Sequence, residues 1–170
     1  MIREANKKDL EDILEIYNDA IMNTTAIYTY KPETLEEKKQ WYEKKKQGGY
    51  PLLVFEEDNR VVGFATFGPF RAWPAYKYTI EHSIYVHKDY RNHGIATKLM
   101  KEIIKIANER EYATLVAGID AANEGSIKMH EKMGFKYSGI VTKAGFKFGK
   151  WLDLAFYQLN LVGPKVPTEE

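Results

Sequence analysis

The chain has 170 residues, of which 44% are hydrophobic and 29% charged, a composition typical of a globular domain that excludes a wholly disordered, collagen-like or coiled-coil chain. It contains no cysteine, which excludes disulfides, thiolate metal sites and a cysteine nucleophile and favours a cytoplasmic location. The net charge is only +1, the first residues lack the apolar core of a signal peptide, and no apolar run approaches the roughly 18 residues that span a membrane. We therefore expect neither nucleic acid nor a membrane as a partner.

No internal repeat or linker divides the chain, so we expect one domain over residues 1–162 and a flexible tail over residues 163–170. From Leu10 onwards, apolar side chains recur at helical spacing, and Asn6 precedes them as a suitable N-cap. Thr34 and Glu37 form a capping-box pattern before a second, mostly polar segment. These signals predict two helices in the first part of the chain.

The next two segments predict strands. Residues 51–67 carry the turn pair Asp58-Asn59 between two apolar runs, which predicts a β-hairpin. Residues 78–86 alternate regularly in polarity, so that odd and even positions are expected on opposite faces of one strand.

The rest of the chain alternates between helix and strand signals. A loop over residues 91–94 leads into a helix from Ile95, and residues 114–119 are typical of a short buried strand. A short helix after Asn123 is expected to end at Gly134, because glycine is common just after a helix. Two further strands, joined by a loop that bears glycine and lysine, are predicted over residues 135–141 and 151–161. This order predicts a single α/β or α+β sheet domain with helices on both faces.

The most informative segment is the strand–loop–helix junction at residues 91–96. A helix N-terminus presents unpaired backbone N–H groups, and the helix dipole favours an anion there. Gly94 and Ala96 leave room for phosphate oxygens, and Asn92 tolerates a left-handed conformation. Over residues 88–105 there are five basic and two acidic side chains, an excess of +3 (five minus two). The pattern fits a phosphate site and, equally, an ordinary turn followed by a solvated lysine face.

Competing motifs for phosphate binding and nucleophilic catalysis are missing. The sequence has no G-x-x-x-x-G-K-[ST], no G-x-G-x-x-G and no G-x-S-x-G, which counts against a P-loop ATPase, a dinucleotide-binding Rossmann fold and a serine hydrolase. The four histidines have no metal-ligand spacing, so we expect no metal.

Two motifs resemble the GCN5-related N-acetyltransferase (GNAT) superfamily. The pattern R-x-x-G-x-A at residues 91–96 is similar to the acyl-CoA pyrophosphate loop of that superfamily, and N-x-x-S-x-x-x-[YH]-x-x-x-G-F follows at residues 123–135. Further segments resemble the phosphinothricin and methionine sulfoximine acetyltransferase branch, namely IYNDAI, NTTAIY, FGPFRAW, YTIEHSIYV and KAGFKFGKWLDLAFYQLNL. Taken together, they cover almost the whole chain.

This resemblance implies a fold, a co-substrate and a partner. The GNAT fold is a single mixed β-sheet that splays between two parallel strands, with acetyl-CoA in the cleft, and the branch implies a homodimer. Backbone groups of Ile84, Tyr85 and Val86 would contact the pantetheine and the acetyl carbonyl. The other cofactor-binding positions implied are Arg91, Asn92, His93, Gly94, Ile95, Ala96, Thr97, Asn123, Ser126 and Lys132.

The resemblance also implies an acceptor site. The matching substrate positions are Arg71, Ala72, Trp73, Glu81, His82 and Ser83. The guanidinium of Arg71 suits a carboxylate, because it binds one bidentately. Trp73, Tyr76 and Tyr78 could line a pocket or belong to an aromatic loop packed on the sheet. The lysines of residues 143–150 are typical of a solvated loop. The resemblance indicates a position for that loop beside the acceptor pocket.

Two titratable residues are candidates for proton transfer. Alternation alone favours a solvent-facing position for Glu81, whereas the resemblance implies a general base that deprotonates the substrate ammonium, since only a neutral amine attacks a thioester. His130, on a helix with apolar neighbours, by itself indicates a packed or capping histidine. The resemblance implies instead that His130 protonates the leaving thiolate of coenzyme A.

We therefore expect an enzyme that transfers the acetyl group of acetyl-CoA to the α-amine of a small amino-acid-like acceptor, of the methionine sulfoximine, methionine sulfone or phosphinothricin type. With no cysteine, the transfer is expected to be direct, within a ternary complex. One alternative is the same chemistry on a polyamine or a peptide N-terminus, although Arg71 does not suit an acid-lined polyamine pocket. A second is a non-catalytic acyl-CoA-binding regulatory module, which has no need for Glu81.

Overall fold

The computed structural model describes all 170 residues and contains four α-helices and seven β-strands. The helices are α1 (Leu10–Asn23), α2 (Leu35–Gln47), α3 (Ile95–Glu109) and α4 (Glu124–Lys132). The strands are β1 (Ile2–Glu4), β2 (Leu52–Glu57), β3 (Arg60–Pro69), β4 (Thr79–Val86), β5 (Thr114–Asp120), β6 (Lys136–Lys147) and β7 (Lys150–Asn160).

Capping side chains lie before the first two helices. The Asn6 side chain accepts a hydrogen bond from the Lys8 amide at 2.9 Å and begins a short 3-10 turn that runs into α1. Thr34 accepts from the Glu37 amide at 3.2 Å, and the Glu37 carboxylate accepts from the Thr34 amide at 3.0 Å. The prediction of Thr34 as the N-cap of α2 is confirmed, whereas Asn6 caps the short 3-10 turn and the N-cap of α1 itself is Asp9.

The predicted hairpin is formed by β2 and β3. Its turn residues Asp58 and Asn59 have φ angles of 51° and 61°, the left-handed pair that a two-residue type I′ turn requires. Strand β1, which pairs antiparallel with β2, is not predicted from the sequence. Three residues are too few to establish an alternation pattern.

Hydrogen bonding orders the strands β1-β2-β3-β4-β5-β7-β6 in one mixed sheet. Strands β4 and β5 are parallel, and their register covers three residue pairs, ending at Glu81 with Val116. The pairs β1–β2, β2–β3, β5–β7 and β6–β7 are antiparallel. The prediction of a mixed α/β fold is confirmed.

The predicted loop between the last two strands is wrong. Strand β6 continues to Lys147, and the turn to β7 consists only of Phe148 and Gly149, with φ angles of 53° and 73°. The segment that bears glycine and lysine is part of the strand, and the pairing with β7 is irregular between Val141 and Gly145. A bulge accommodates extra residues without ending an antiparallel pair, so these residue types do not terminate the strand.

The chain forms two compact units. The first consists of Met1–Thr66 and Ser83–Lys101, and the second of Phe67–His82 and Glu102–Glu170. The core of the first unit is built by buried residues of its helices and strands: Ala5, Leu10, Ile13, Ile16, Tyr42, Leu52, Val54, Val61 and Phe64.

The second unit has its own buried apolar side chains, which include Phe67, Ile80, Ile103, Leu115, Ile119, Phe135, Leu152 and Ala155. Its C-terminal segment contacts the chain before β4. The Thr168 amide donates to the Tyr78 hydroxyl at 3.0 Å, and Lys77 Nζ donates to Thr168 Oγ1 at 3.1 Å. The single domain over residues 1–162 and the flexibility of residues 163–170 stay predictions.

Candidate active site

The loop before α3 has the geometry of an anion-binding helix N-terminus. Asn92 and Gly94 have φ angles of 65° and 77°, and Ile95, only 3% exposed, anchors the start of the helix. The Lys98 amide donates to the Gly94 carbonyl at 3.1 Å, so the amides of residues 95–97 precede the helical ladder and have no acceptor within the helix. Apart from its chain neighbours, no atom lies within 4 Å of a Cβ built on Gly94, so the space beside this glycine is open.

Polar side chains surround this loop. Arg91 Nε donates to the Val86 carbonyl at 3.4 Å, and Arg91 Nη2 lies 3.4 Å from the Asp19 carboxylate. The ring of His93 packs edge-on against Tyr90, with centroids 6.3 Å apart. Arg91 and His93 are both exposed, so the loop keeps cationic and hydrogen-bonding groups at its surface.

Aromatic packing supports the end of β4 that precedes this loop. Ile84, Tyr85 and Val86 are half-buried. The Tyr85 ring lies edge-on to Tyr17 at 5.7 Å and is tilted against Phe64 at 5.3 Å between centroids. The strand is therefore held by its side chains, while its backbone supplies the groups predicted to contact the pantetheine.

Glu81 is half-buried rather than fully exposed, and its carboxylate lies against the backbone of β5. A Cβ built on Gly118 would be 3.2 Å from Glu81 Oε2 and 3.4 Å from Leu154 Cδ1. Burial raises the pKa of Glu81, and the positive charge of Arg71 opposes that rise. The expectation from alternation alone, a solvent-facing side chain, is wrong because the carboxylate leans onto this glycine.

The predicted acceptor residues after β3 lie on an exposed loop. The Arg71 guanidinium lies 4.4 Å from the centroid of the Phe70 ring, and its Nη1 donates to the Phe70 carbonyl at 3.1 Å. Ala72 is exposed, and Trp73 is 74% exposed. The Tyr76 ring packs edge-on against Phe70 at 5.8 Å. Trp73 is therefore not packed on the sheet, and Arg71 remains accessible to a carboxylate.

His82 and His130 form a contact that the sequence does not predict. Their Nε2 atoms are 3.1 Å apart, and their rings are nearly parallel, with centroids 5.1 Å apart and an interplanar angle of 12°. His130 Nδ1 lies 2.7 Å from the Ser126 carbonyl oxygen. Phe135 packs edge-on against both rings, at 5.8 Å and 5.0 Å. The two histidines are 48 residues apart in the chain, too far for any local pattern to join them.

Both histidines are uncharged at neutral pH. Burial, with a smaller contribution from His130, lowers the pKa of His82 to about 3. Burial also lowers the pKa of His130, although the bond to Ser126 opposes this. Both ring nitrogens of His130 have protein partners, so the role of proton donor to the thiolate stays a prediction.

The other predicted cofactor residues lie on α4. The Asn123 side chain accepts from the Ser126 amide at 3.1 Å and so caps this helix. Lys132 is exposed at the last position of the helix, and Ser83 is half-buried on β4.

Sequence reasoning missed Gly118. A signal for it existed, because a glycine inside an apolar strand often marks a close approach of another group to the backbone.

The prediction of a solvated lysine loop near the C-terminus is wrong at one position. Lys143 and Lys150 are exposed, but Lys147 is only 4% exposed, and burial lowers its pKa. Lys147 is the last residue of β6 rather than part of a loop, and pairing with β7 keeps it at the sheet.

Two broader features concern metals and membranes. No group of three or more histidine, aspartate or glutamate side chains could together hold a metal ion. None of the helices is long and apolar enough to cross a membrane.

Comparison with known proteins identifies the family. The model of the acetyltransferase (GNAT) family matches residues 10–135. The chain belongs to this family. The predictions of the GNAT superfamily, of its mixed fold and of an N-acetyltransferase are thereby confirmed.

Three similar proteins illustrate the relationship. An N-acetyltransferase from Staphylococcus aureus Mu50 shares 59% identity, with a TM-score of 0.93 over 94% of this chain and 97% of that one. The L-methionine sulfoximine/L-methionine sulfone acetyltransferase of Salmonella typhimurium is 41% identical over 94% of each chain. A phosphinothricin acetyltransferase from Sinorhizobium meliloti, solved in complex with acetyl-CoA, has 32% identity and a TM-score of 0.94 over 98% of this chain and 91% of that one.

Proposed function

We propose that the protein transfers the acetyl group of acetyl-CoA to the α-amine of a small amino-acid-like acceptor, of the methionine sulfoximine, methionine sulfone or phosphinothricin type. The observation that carries this proposal is the half-buried Glu81 carboxylate, with a raised pKa, beside Gly118. The similarity to the methionine sulfoximine acetyltransferase of Salmonella typhimurium supports the choice of acceptor.

Glu81 acts as the general base in this proposal. The acceptor amine is an ammonium ion at neutral pH, and it attacks only after losing a proton, which Glu81 takes directly or through one water. The new N–C bond then forms as the thioester C–S bond breaks, and coenzyme A leaves as its thiolate. The second proton of the nitrogen passes to this thiolate, directly or through water, which leaves a neutral amide and the free thiol. The raised pKa of Glu81 strengthens it as a base, because a catalytic base works best with a pKa near the working pH.

Acetyl-CoA supplies the activated thioester. Its proposed binding residues on β4, on the loop that follows and on α3 are Ile84, Tyr85, Val86, Arg91, Asn92, His93, Gly94, Ile95, Ala96 and Thr97. They fit an anionic ligand, because open space lies beside Gly94 and the first amides of α3 have no helical acceptor. Asn123, Ser126 and Lys132 on α4 are proposed to complete the contacts. Backbone N–H groups of residues 84–86 would polarise the thioester carbonyl.

Recognition of the acceptor is proposed to depend on the carboxylate that amino acids carry. Arg71 is exposed, its charge acts on Glu81, and a guanidinium binds a carboxylate through two parallel hydrogen bonds. The remaining proposed acceptor residues are Ala72, Trp73, His82 and Ser83. A polyamine, which has no carboxylate, gains nothing from Arg71.

The proposed assembly is a homodimer formed through the β6–β7 hairpin. Strand β6 lies at one end of the sheet order, and six large apolar side chains of the hairpin are 46–59% exposed: Tyr137, Ile140, Val141, Phe146, Phe148 and Trp151. Such a patch is typical of a protein–protein interface. Sedimentation equilibrium should give twice the mass of the chain, and Trp151→Asp should reduce it to the monomer mass. The cytoplasmic location stays a prediction.

Thiol release from acetyl-CoA, followed with a thiol-reactive dye, tests the proposed activity. The protein has no cysteine and so gives no background of its own. The panel contains methionine sulfoximine, methionine sulfone, phosphinothricin, spermidine and a short peptide, with the Glu81→Gln variant as a matched control. Release with the first three compounds alone supports the proposal. Release confined to spermidine or the peptide overturns the acceptor, and binding of acetyl-CoA with no release in any well favours a binding module.

A further inference from the structure

The hydrogen bonds of His82 and His130 define one arrangement of protons. The Ser126 carbonyl oxygen can only accept, so His130 Nδ1, 2.7 Å away, carries a hydrogen. Neutral His130 then has a lone pair on Nε2, and His82 Nε2, 3.1 Å away, donates to it. The donor chain runs from His82 through His130 to the backbone of α4.

The remaining ring nitrogen of His82 keeps the pair neutral. His82 Nδ1 is buried and has no hydrogen-bond partner. A proton on this atom would create a buried charged N–H group without an acceptor, which is costly. Phe135 packs edge-on against both rings, and Glu81, the adjacent residue of β4, belongs to the opposite face of the strand.

The pair lies at the point where the pairing of β4 with β5 stops. The last register pair is Glu81 with Val116, and His82 is the next residue along β4. Its contact with His130 ties this point of the strand to α4, which is itself capped by Asn123. The backbone that carries Glu81 is thus held by strand pairing on its N-terminal side and by the histidine contact directly after it.

We propose that His130 is a positioning residue and not the proton donor to the thiolate: with His82 it forms a neutral clamp that holds β4 at Glu81. The clamp keeps the Glu81 carboxylate against Gly118. This inference rests on the proposed role of Glu81 as the general base.

Imidazole NMR tests the clamp without any activity measurement. In protein labelled with ¹⁵N-histidine, we expect His130 to carry its hydrogen on Nδ1 and His82 on Nε2, with no titration of His82 between about pH 5 and about pH 8 and a His130 pKa below that of an ordinary histidine. A His130 ring that titrates as an ordinary histidine or at higher pH, or that carries its hydrogen on Nε2, would overturn the proposal.

Two variants of His130 separate positioning from proton donation. Glutamine offers both an acceptor for His82 and a donor for Ser126, so His130→Gln should keep kcat within about threefold of the wild type. His130→Ala breaks the clamp and should lower kcat about 100-fold, with KM for acetyl-CoA unchanged. The acidic side of its pH–rate profile should also shift, because the Glu81 carboxylate is no longer held against Gly118. If His130 donates the proton, both variants lose kcat equally, because neither side chain can transfer one.

Lys128→Ala, on the exposed side of α4, is the matched control and should behave as the wild type. The NMR measurement and the kinetic comparison of the variants also distinguish a failure of the clamp from a failure of the proposed function. If no amine is acetylated, the proposed function is overturned while the imidazole spectrum still reports on the clamp. If the enzyme is active and His130→Gln is as impaired as His130→Ala, the clamp is overturned and the proposed function stands.

Discussion

The buried Lys38 side chain supports the aromatic packing beneath β4. Lys38 is 1% exposed on α2, and its Nζ lies 2.9 Å from the Glu33 carboxylate. The same ammonium lies 3.6 Å from the ring centroid of Tyr17 and 4.4 Å from that of Trp41. Tyr17 in turn packs edge-on against Tyr85 of β4. Loss of the ammonium is therefore expected to weaken the first unit near the proposed cofactor strand.

The perturbation is Lys38→Met, which keeps the apolar length of the side chain and removes the charge. Breaking a buried ion pair by removing one partner costs about 3–5 kcal/mol. Because the Glu33 side chain is 29% exposed and water can partly solvate its charge, we expect the lower end, about 3 kcal/mol. Urea unfolding at neutral pH, followed by tryptophan fluorescence, measures this change.

Lys39→Met is the matched control, because Lys39 is the exposed neighbour on the same helix, and it should stay within about 0.5 kcal/mol of the wild type. Adding Glu33→Gln to Lys38→Met should restore part of the lost stability, since a neutral amide needs no countercharge. Equal stability of Lys38→Met and Lys39→Met would refute the reasoning. A double variant less stable than Lys38→Met would show that the orphaned carboxylate is not the cause.

Three further predictions concern the proposed site. Glu81→Gln should lower kcat about 10²- to 10⁴-fold. Because burial raises the pKa of Glu81, the activity of the wild type should fall as the pH drops through that raised value, and an identical fall in the pH–rate profile of the variant would contradict this. Gly94→Ala should raise KM for acetyl-CoA in initial-rate measurements, whereas Gly49→Ala, with a similar φ of 70° and equally open space, should not. Arg71→Ala should raise KM for acceptors with a carboxylate and leave their decarboxylated analogues unchanged, so an equal rise for both would exclude carboxylate binding.

The sequence predicts most of the local structure, because the signals involve neighbouring residues. The caps at Asn6 and Thr34 and the Asp58-Asn59 turn satisfy backbone groups a few residues away. Such hydrogen bonds depend on residue type and spacing alone. The full length of β6 is not predictable in this way, since pairing with β7 overrides the glycines within it.

The candidate site is predictable only in part. Sequence motifs indicate the loop at Asn92 and Gly94 and the carboxylate of Glu81. The contacts of His82 with His130 and of Glu81 with Gly118 join residues far apart in the chain. Burial of a polar group at such a contact depends on tertiary packing, which a single sequence does not display.

The destination of the acetyl group is the most direct test of the account. Acetyl-CoA labelled with ¹³C at the acetyl carbonyl is incubated with the protein and ¹⁵N-labelled methionine sulfoximine, and the products are examined by NMR and by mass spectrometry of the protein. The account predicts a carbonyl resonance split by one-bond coupling to nitrogen, with no label on the protein. Label found only in free acetate, or bound covalently to the protein as an intermediate, would contradict direct acetyl transfer to the amine.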